Sequence, residues 1–166
     1  MRAPRRQKGG YFPTDPAAPL PLLVTLKHRV RFSQVDAMAI MWHGRYAELF
    51  EQGNEELGRL CGMGYPDFIR ERLQAPIVQL HVDYFAPLRL GETVTIIARM
   101  IWADGARSNI EYEIRRENGT LAASGFTVQM FIDETGTPLM ADPPLLETCR
   151  RRWLAGEFAT AGRRGI

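Results

Sequence analysis

Between Asp36 and Tyr46 the chain reads DAMAIMWHGRY, an acid and then a histidine seven residues later, with a helical apolar period beginning at once. A carboxylate can take a proton from water or attack a carbonyl carbon, and an imidazole can orient it or bond a developing oxyanion. Such chemistry gains from the start of a helix, where N–H groups lack intrahelical partners and the dipole is positive. Asp36 could also simply cap a turn, and His43 could be structural. Glu48 and Glu51 place further carboxylates on the helix itself, where solvated charge is the plainer reading. Arg107, Arg115, Arg116 and Arg150–Arg152 could meet phosphates or be solvated. No glycine-rich phosphate loop or metal-ligand spacing accompanies these residues, so no metal cofactor is expected.

The element that must position this chemistry is a helix over residues 43–61. Tyr46, Leu49, Phe50, Leu57, Leu60 and Cys61 form one apolar stripe, and Gly62 and Gly64 end it. Gly53 interrupts that stripe at a cost of about 1 kcal/mol relative to Ala, which implies that something packs closely upon it. Around the helix the pattern is that of strands. Leu26, His28, Val30 and Phe32 alternate with Thr25, Lys27, Arg29 and Arg31; a core role for His28 is the simpler reading. A short helical turn follows at 65–73, then alternation over 75–86 with Val78, Leu80, Val82 and Tyr84 on one face. Strands at 93–102, 108–116 and 121–132 are separated by the hairpin signals Asp104-Gly105 and Asn118-Gly119. Pro143 opens a last helix through Trp153. Four consecutive strands linked by turns read as a meander that must bury its apolar face on the one long helix, with a second subunit hiding what remains exposed.

Composition narrows the classes. At 166 residues, with 45% hydrophobic and 24% charged residues, the chain reads as one globular domain over 25–154, with a loose or disordered arm at 1–24 and a flexible tail at 155–166. The net charge of +2 is concentrated in the first 25 residues, which carry +3. The near-neutral remainder gives no support for nucleic acid as a partner. Cys61 and Cys149 fit no zinc or disulfide framework and read as free thiols in a reducing cytoplasm. No apolar run is long enough to span a membrane, and prolines at 13, 16, 19 and 21 break the only stretch resembling a signal peptide.

Taken in order over about residues 26–143, the chain resembles the hotdog-fold acyl-CoA thioesterases of the 4-hydroxybenzoyl-CoA thioesterase type. The resemblance is carried by Asp36, Met38, Ala39, His43 and Tyr46, by FEQGN containing Glu51, by DYFAPLRLGETV and by GTLAASGFTVQMFIDETGTP. Three positions depart from that family's pattern: Ala39 stands for a glycine, Phe32 for a tyrosine and Arg45 for an asparagine. The resemblance implies an α+β hotdog fold, a curved antiparallel β-sheet wrapped around one long central α-helix. It implies hydrolysis of an acyl-CoA or acyl-carrier-protein thioester to free acid and thiol, with coenzyme A present only as part of the substrate. Asp36 would be nucleophile or general base, His43 its companion, and the helix N–H groups an oxyanion hole. Met38, Ala39, Ile40, Trp42, Tyr46 and Glu51 would contact substrate, although the 38–42 run would equally suit a dimer-facing loop. A homodimer or homotetramer is expected. A non-hydrolytic acyl-CoA-binding protein and a hydroxyacyl-thioester dehydratase are the other readings; the acid–histidine arrangement of the latter is not found here.

Overall fold

The apolar stripe of the central helix and the inner faces of five strands meet in one core in the computed structural model, which describes residues 10–158. The strands are β1 (Leu22–Arg29), β2 (Ile77–Tyr84), β3 (Thr93–Ile101), β4 (Arg107–Arg116) and β5 (Leu121–Met130). The helices are α1 (Tyr46–Cys61), α2 (Tyr65–Arg70) and α3 (Pro144–Leu154). All strand pairs are antiparallel, in the order β1-β3-β4-β5-β2.

Close approach of α1 to the sheet depends on two glycines. A Cβ on Gly53 would stand 2.8 Å from the Ala98 Cβ of β3, so glycine lets the helix press onto the strand, as its place in the apolar stripe implied. Nearly one turn earlier Phe50 stacks on Tyr112 of β4, with centroids 4.3 Å apart and planes 5° apart. Its ring edge occupies the space that a side chain on Gly125 of β5 would need. Gly62, at φ 77, ends α1 in the left-handed region. Beside that end, Cys61 and Cys149 are both buried free thiols.

The chain departs from a simple meander at one place. Only β3, β4 and β5 follow one another through hairpins, whose Gly105 and Gly119 adopt φ 79 and 82. β2 pairs on the far side of β5, and residues 85–92 travel back to the opposite edge. This crossing leaves β5 through Phe85 and Ala86 N–H bonds to the Ala122 carbonyl. It arrives beside β1 through Val30 N–H to Glu92 O and Gly91 N–H to Val30 O, both 2.9 Å. Hairpin signals report local turns, whereas the neighbour of an edge strand is decided by how all apolar faces share one helix.

Other differences follow from the edges. β1 starts at Leu22, ahead of the alternation from Thr25. Phe32, expected inward, opens a single 3₁₀ turn and is 81% exposed. Val78, Leu80 and Tyr84, also expected inward, are about half exposed because β2 is an edge strand. Of the arm, residues 1–9 lie outside the described residues, but Tyr11 and Phe12 flank Phe126 on the outer face of the sheet at 5.3 and 5.2 Å. Tyr11 also donates its hydroxyl to Asp83 at 2.7 Å. At the other terminus Phe158 is still buried, and residues 159–166 lie outside the description.

Candidate active site

Asp36 sits in a small closed loop, with both of its own backbone groups engaged. Its N–H meets the Ile40 carbonyl at 2.9 Å, and its carbonyl accepts the Ala39 N–H at 3.0 Å. Its Oδ1 accepts the Met38 N–H at 2.8 Å and, at longer range, that of Ile40. One carboxylate oxygen therefore holds the loop, and Oδ2 accepts no hydrogen bond among the described residues. The tight turn places Ala39 at φ 58. That is the left-handed region, where an L-residue costs roughly 1–2 kcal/mol. The position that a glycine occupies in the family pattern is thus one where glycine would relieve strain. The 85–92 crossing staples the loop from outside, with Met41 N–H to Leu88 O at 2.8 Å and Leu90 N–H to Ala39 O at 3.1 Å.

The helix entrance differs from a plain α-helical start. Residues His43–Arg45 form one 3₁₀ turn before α1, closed by Arg45 N–H to Trp42 O. The first N–H groups of that turn, on His43 and Gly44, have no carbonyl within it to meet. The Trp42 ring lies across Gly44 so tightly that any Cβ there would collide with it. His43 packs its ring against Trp42, 4.9 Å between centroids, and its carbonyl accepts the Tyr84 hydroxyl at 2.9 Å. Its side chain is exposed and makes no hydrogen bond to Asp36 in this chain. Among the other residues singled out from sequence, Met38 and Ala39 are exposed, Ile40 is half-buried in a bridge to Arg89, and Trp42 is exposed. Tyr46 is buried, edge-on to Tyr84, and burial pushes its hydroxyl pKa up.

Glu51 stands apart from this loop, one and a half turns into α1. It is half-buried, and loss of solvent raises its carboxyl pKa above the usual value. Farther along the same helix is a cavity of about 230 Å³ lined by Asn54, Gly58, Met63, Phe68, Leu73 and Met100 among others. At 1.5 Å per residue, Gly58 lies about 18 Å along the axis from Tyr46, so the cavity and the Asp36 loop occupy different parts of one chain.

Sequence reasoning missed a polar network under the loop. His28 Nε2 lies 2.9 Å from Gln34 Oε1 and its Nδ1 3.1 Å from Gln52 Oε1. Gln34 also accepts the Arg31 N–H and donates to Glu48. Bonds from Arg45 and then Gln34 hold the Glu48 carboxyl below its usual range. Because the Gln34 carbonyl accepts the Trp42 N–H at 2.9 Å, the network ties both ends of the Asp36 loop to β1 and α1. His28 on an apolar face was the only visible signal, and its core reading holds at 6% exposure. The arginines considered for phosphates are mostly engaged: Arg115 with Glu113, Arg116 with Glu92, Arg150 with Asp142 and Arg152 with Glu157. No group of three or more potential metal ligands occurs among the described residues.

Comparison with known proteins speaks to the family and the fold. A family model described as the thioesterase-like superfamily matches residues 30–152. The chain is similar to the 1,4-dihydroxy-2-naphthoyl-CoA hydrolase of Synechococcus sp. (strain CC9605), 29% identical over 144 residues, 83% of this chain and 92% of that protein. The solved DHNA-CoA thioesterase from Staphylococcus aureus superposes with a TM-score of 0.72 at 24% identity, covering 87% of this chain and 96% of that one. A second Staphylococcus aureus protein, SAV2348, solved in complex with CoA, gives a TM-score of 0.72 at 20% identity over 90% of each chain. At those identities the two structures speak for the fold.

Proposed function

Because the chain belongs to the thioesterase-like superfamily, we propose that it hydrolyses an acyl-CoA or acyl-carrier-protein thioester with Asp36 as the reacting carboxylate. Its five-stranded sheet and α1 form the α+β hotdog fold. The observation that carries the proposal is the Asp36 loop, closed on itself, stapled by the 85–92 crossing and set against the first turn of the central helix.

With Oδ1 engaged, Oδ2 has two routes to the same products. As a base it takes a proton from water; the hydroxide adds to the thioester carbonyl, the C–S bond breaks, and the leaving sulfur recovers that proton. As a nucleophile it attacks the carbonyl carbon, expels the thiolate and leaves an acyl–aspartyl anhydride that water hydrolyses. In either route a negative oxygen develops, and the N–H groups of His43 and Gly44 are the donors that would meet it. Met38, Ile40 and Trp42 supply apolar surface beside the reacting carbon, with the His43 ring held by Trp42.

A second copy completes the proposal. The β2 edge presents Ile77, Val78, Leu80, Tyr84 and Phe85 half exposed, and an apolar open edge is a template for another chain. Pairing two β2 strands about a two-fold axis covers this row. A second copy is also what would bring an Asp36 loop to a cavity that its own chain places toward the far end of α1. Leu80→Asp should then turn a dimer into monomer in sedimentation, and a monomeric wild type would refute the pairing. The enzyme works in the cytoplasm, where Cys61 and Cys149 remain thiols.

Thiol release from short, long, branched and aromatic acyl-CoAs tests the reaction. The aromatic arm is included because the Synechococcus relative is named for a naphthoyl-CoA. Release from at least one class, reduced roughly 100-fold or more by Asp36→Asn, is expected. If the variant equals wild type, or if no CoA or carrier-protein thioester is cleaved, the reading is wrong.

A further inference from the structure

We propose that a groove along the free edge of β1 binds the 3′-phosphorylated adenosine diphosphate end of the substrate, a reading that rests on the acyl-CoA hydrolysis proposed above. The groove, of about 490 Å³, is lined by Lys27, Arg29, Arg31, Phe32, Gln52 and the Leu90–Gly91 turn, with His28 and Val30 behind. No carboxylate lines it.

The cations in it are held differently from most of the arginines packed on the sheet and α3. Arg99, Arg115, Arg116, Arg150 and Arg152 each meet a carboxylate. Lys27 donates to the Thr95 hydroxyl at 2.8 Å and Arg29 to the Gly91 carbonyl at 3.3 Å. Neither these two nor Arg31 forms an ion pair among the described residues. On an extended chain, alternate residues share one side at a spacing of about 7 Å. A row of like charges at that spacing repels itself and is relieved by a polyanion whose phosphates are spread along it.

The ring of Phe32 decides between a nucleotide and bare phosphate. It stands 81% exposed at the rim of the same groove. An apolar face beside a cationic row is the pairing that takes a stacked base and its phosphates together. Arg31 lies five residues before Asp36, at most about 18 Å of chain. That reach is comparable with the extended pantetheine arm that separates the phosphates of coenzyme A from its sulfur.

Lysine and arginine on an edge strand can also serve only to repel other edges, and the experiment separates the two roles. Adenosine 3′,5′-bisphosphate, coenzyme A and inorganic pyrophosphate are titrated calorimetrically into wild type, the triple variant Lys27→Gln/Arg29→Gln/Arg31→Gln, and Phe32→Ala. The triple variant should bind the bisphosphate and coenzyme A about 30-fold more weakly. Its KM for acyl-CoA should rise by a similar factor, with kcat and the hydrolysis of the matching acyl-pantetheine, which has no nucleotide, unchanged. Phe32→Ala should lose about 5-fold or more for the bisphosphate and nothing for pyrophosphate. Arg31→Gln alone, at an exposed turn position, keeps the test alive if the triple variant misfolds. Unchanged bisphosphate affinity in the charge variants overturns the proposal, as does an equal loss on acyl-pantetheine. The titrations need no catalysis, so they judge the groove even if no thioester is hydrolysed, and thiol release by Asp36→Asn judges the chemistry separately.

Discussion

The two ends of α1 are built on opposite terms. From Phe50 to Cys61 the helix is an object of packing: Gly53 admits β3, Phe50 stacks on Tyr112, and Leu57 is fully buried. From Trp42 to Glu48 it is held by polar and backbone bonds, with an exposed His43, a 3₁₀ entry turn and the His28–Gln34–Glu48 network. The packed end is stabilised by burial, which is non-directional and tolerates little change in volume. The entrance is stabilised by directional bonds that can leave one carboxylate oxygen and two N–H groups unspent. One helix can thus anchor a core and present chemistry because the demands fall on different turns.

Substitutions at each end should separate the two roles. Asp36→Asn keeps the side chain's shape and should lower thiol release by about 10²–10⁴. Its melting temperature should stay within about 2 °C of wild type, a shift of no more than about 1 kcal/mol. A large loss of stability in that variant would erase the contrast between the ends. Phe50→Ala at the packed end should cost about 3–5 kcal/mol in urea unfolding, while the molecules that remain folded keep their KM.

Glu51 lies at the start of the packed end, and its behaviour with pH tells whether it shares that burial. Desolvation raises its carboxyl pKa above the ordinary 4.5. The folded chain therefore binds that proton more tightly than the unfolded one. Stability from this position is full below the unfolded value and is lost as pH rises through the folded value. Glu51→Gln, always neutral, should melt above wild type near pH 7.5 and converge with it near pH 4. No convergence would place Glu51 among the solvated helix charges. The smallest effect is expected at Ala39. Glycine removes the left-handed strain but makes the unfolded chain freer, so Ala39→Gly should gain only about 0.5–1 kcal/mol. A loss instead would show that the Ala39 methyl packs usefully in the loop.

Much of this was readable from residues alone where the cause is local. The apolar stripe of α1, its glycine stop, the Asp104-Gly105 and Asn118-Gly119 hairpins and the close approach at Gly53 all follow from spacing and backbone preference. Asp36 and His43 were legible as a pair at a helix entrance, but not the loop that closes on Asp36. The inward face assigned to β2 failed because alternation tells which residues share a side, not whether anything lies under it.

The sequence by itself determined the elements, the helix that organises them and the acid that could react, because periodicity, capping and turn preference act over a few residues. Tertiary structure decided the rest. It sent β2 to the far edge, so that the 85–92 crossing had to pass the Asp36 loop and staple it. It brought Gln34 and Gln52 to His28 from separate elements, and it left Lys27, Arg29 and Arg31 without the carboxylates that Arg115 and Arg116 found. Pairing order and charge pairing depend on which segments share one core, and that is set only when all the apolar faces are buried together.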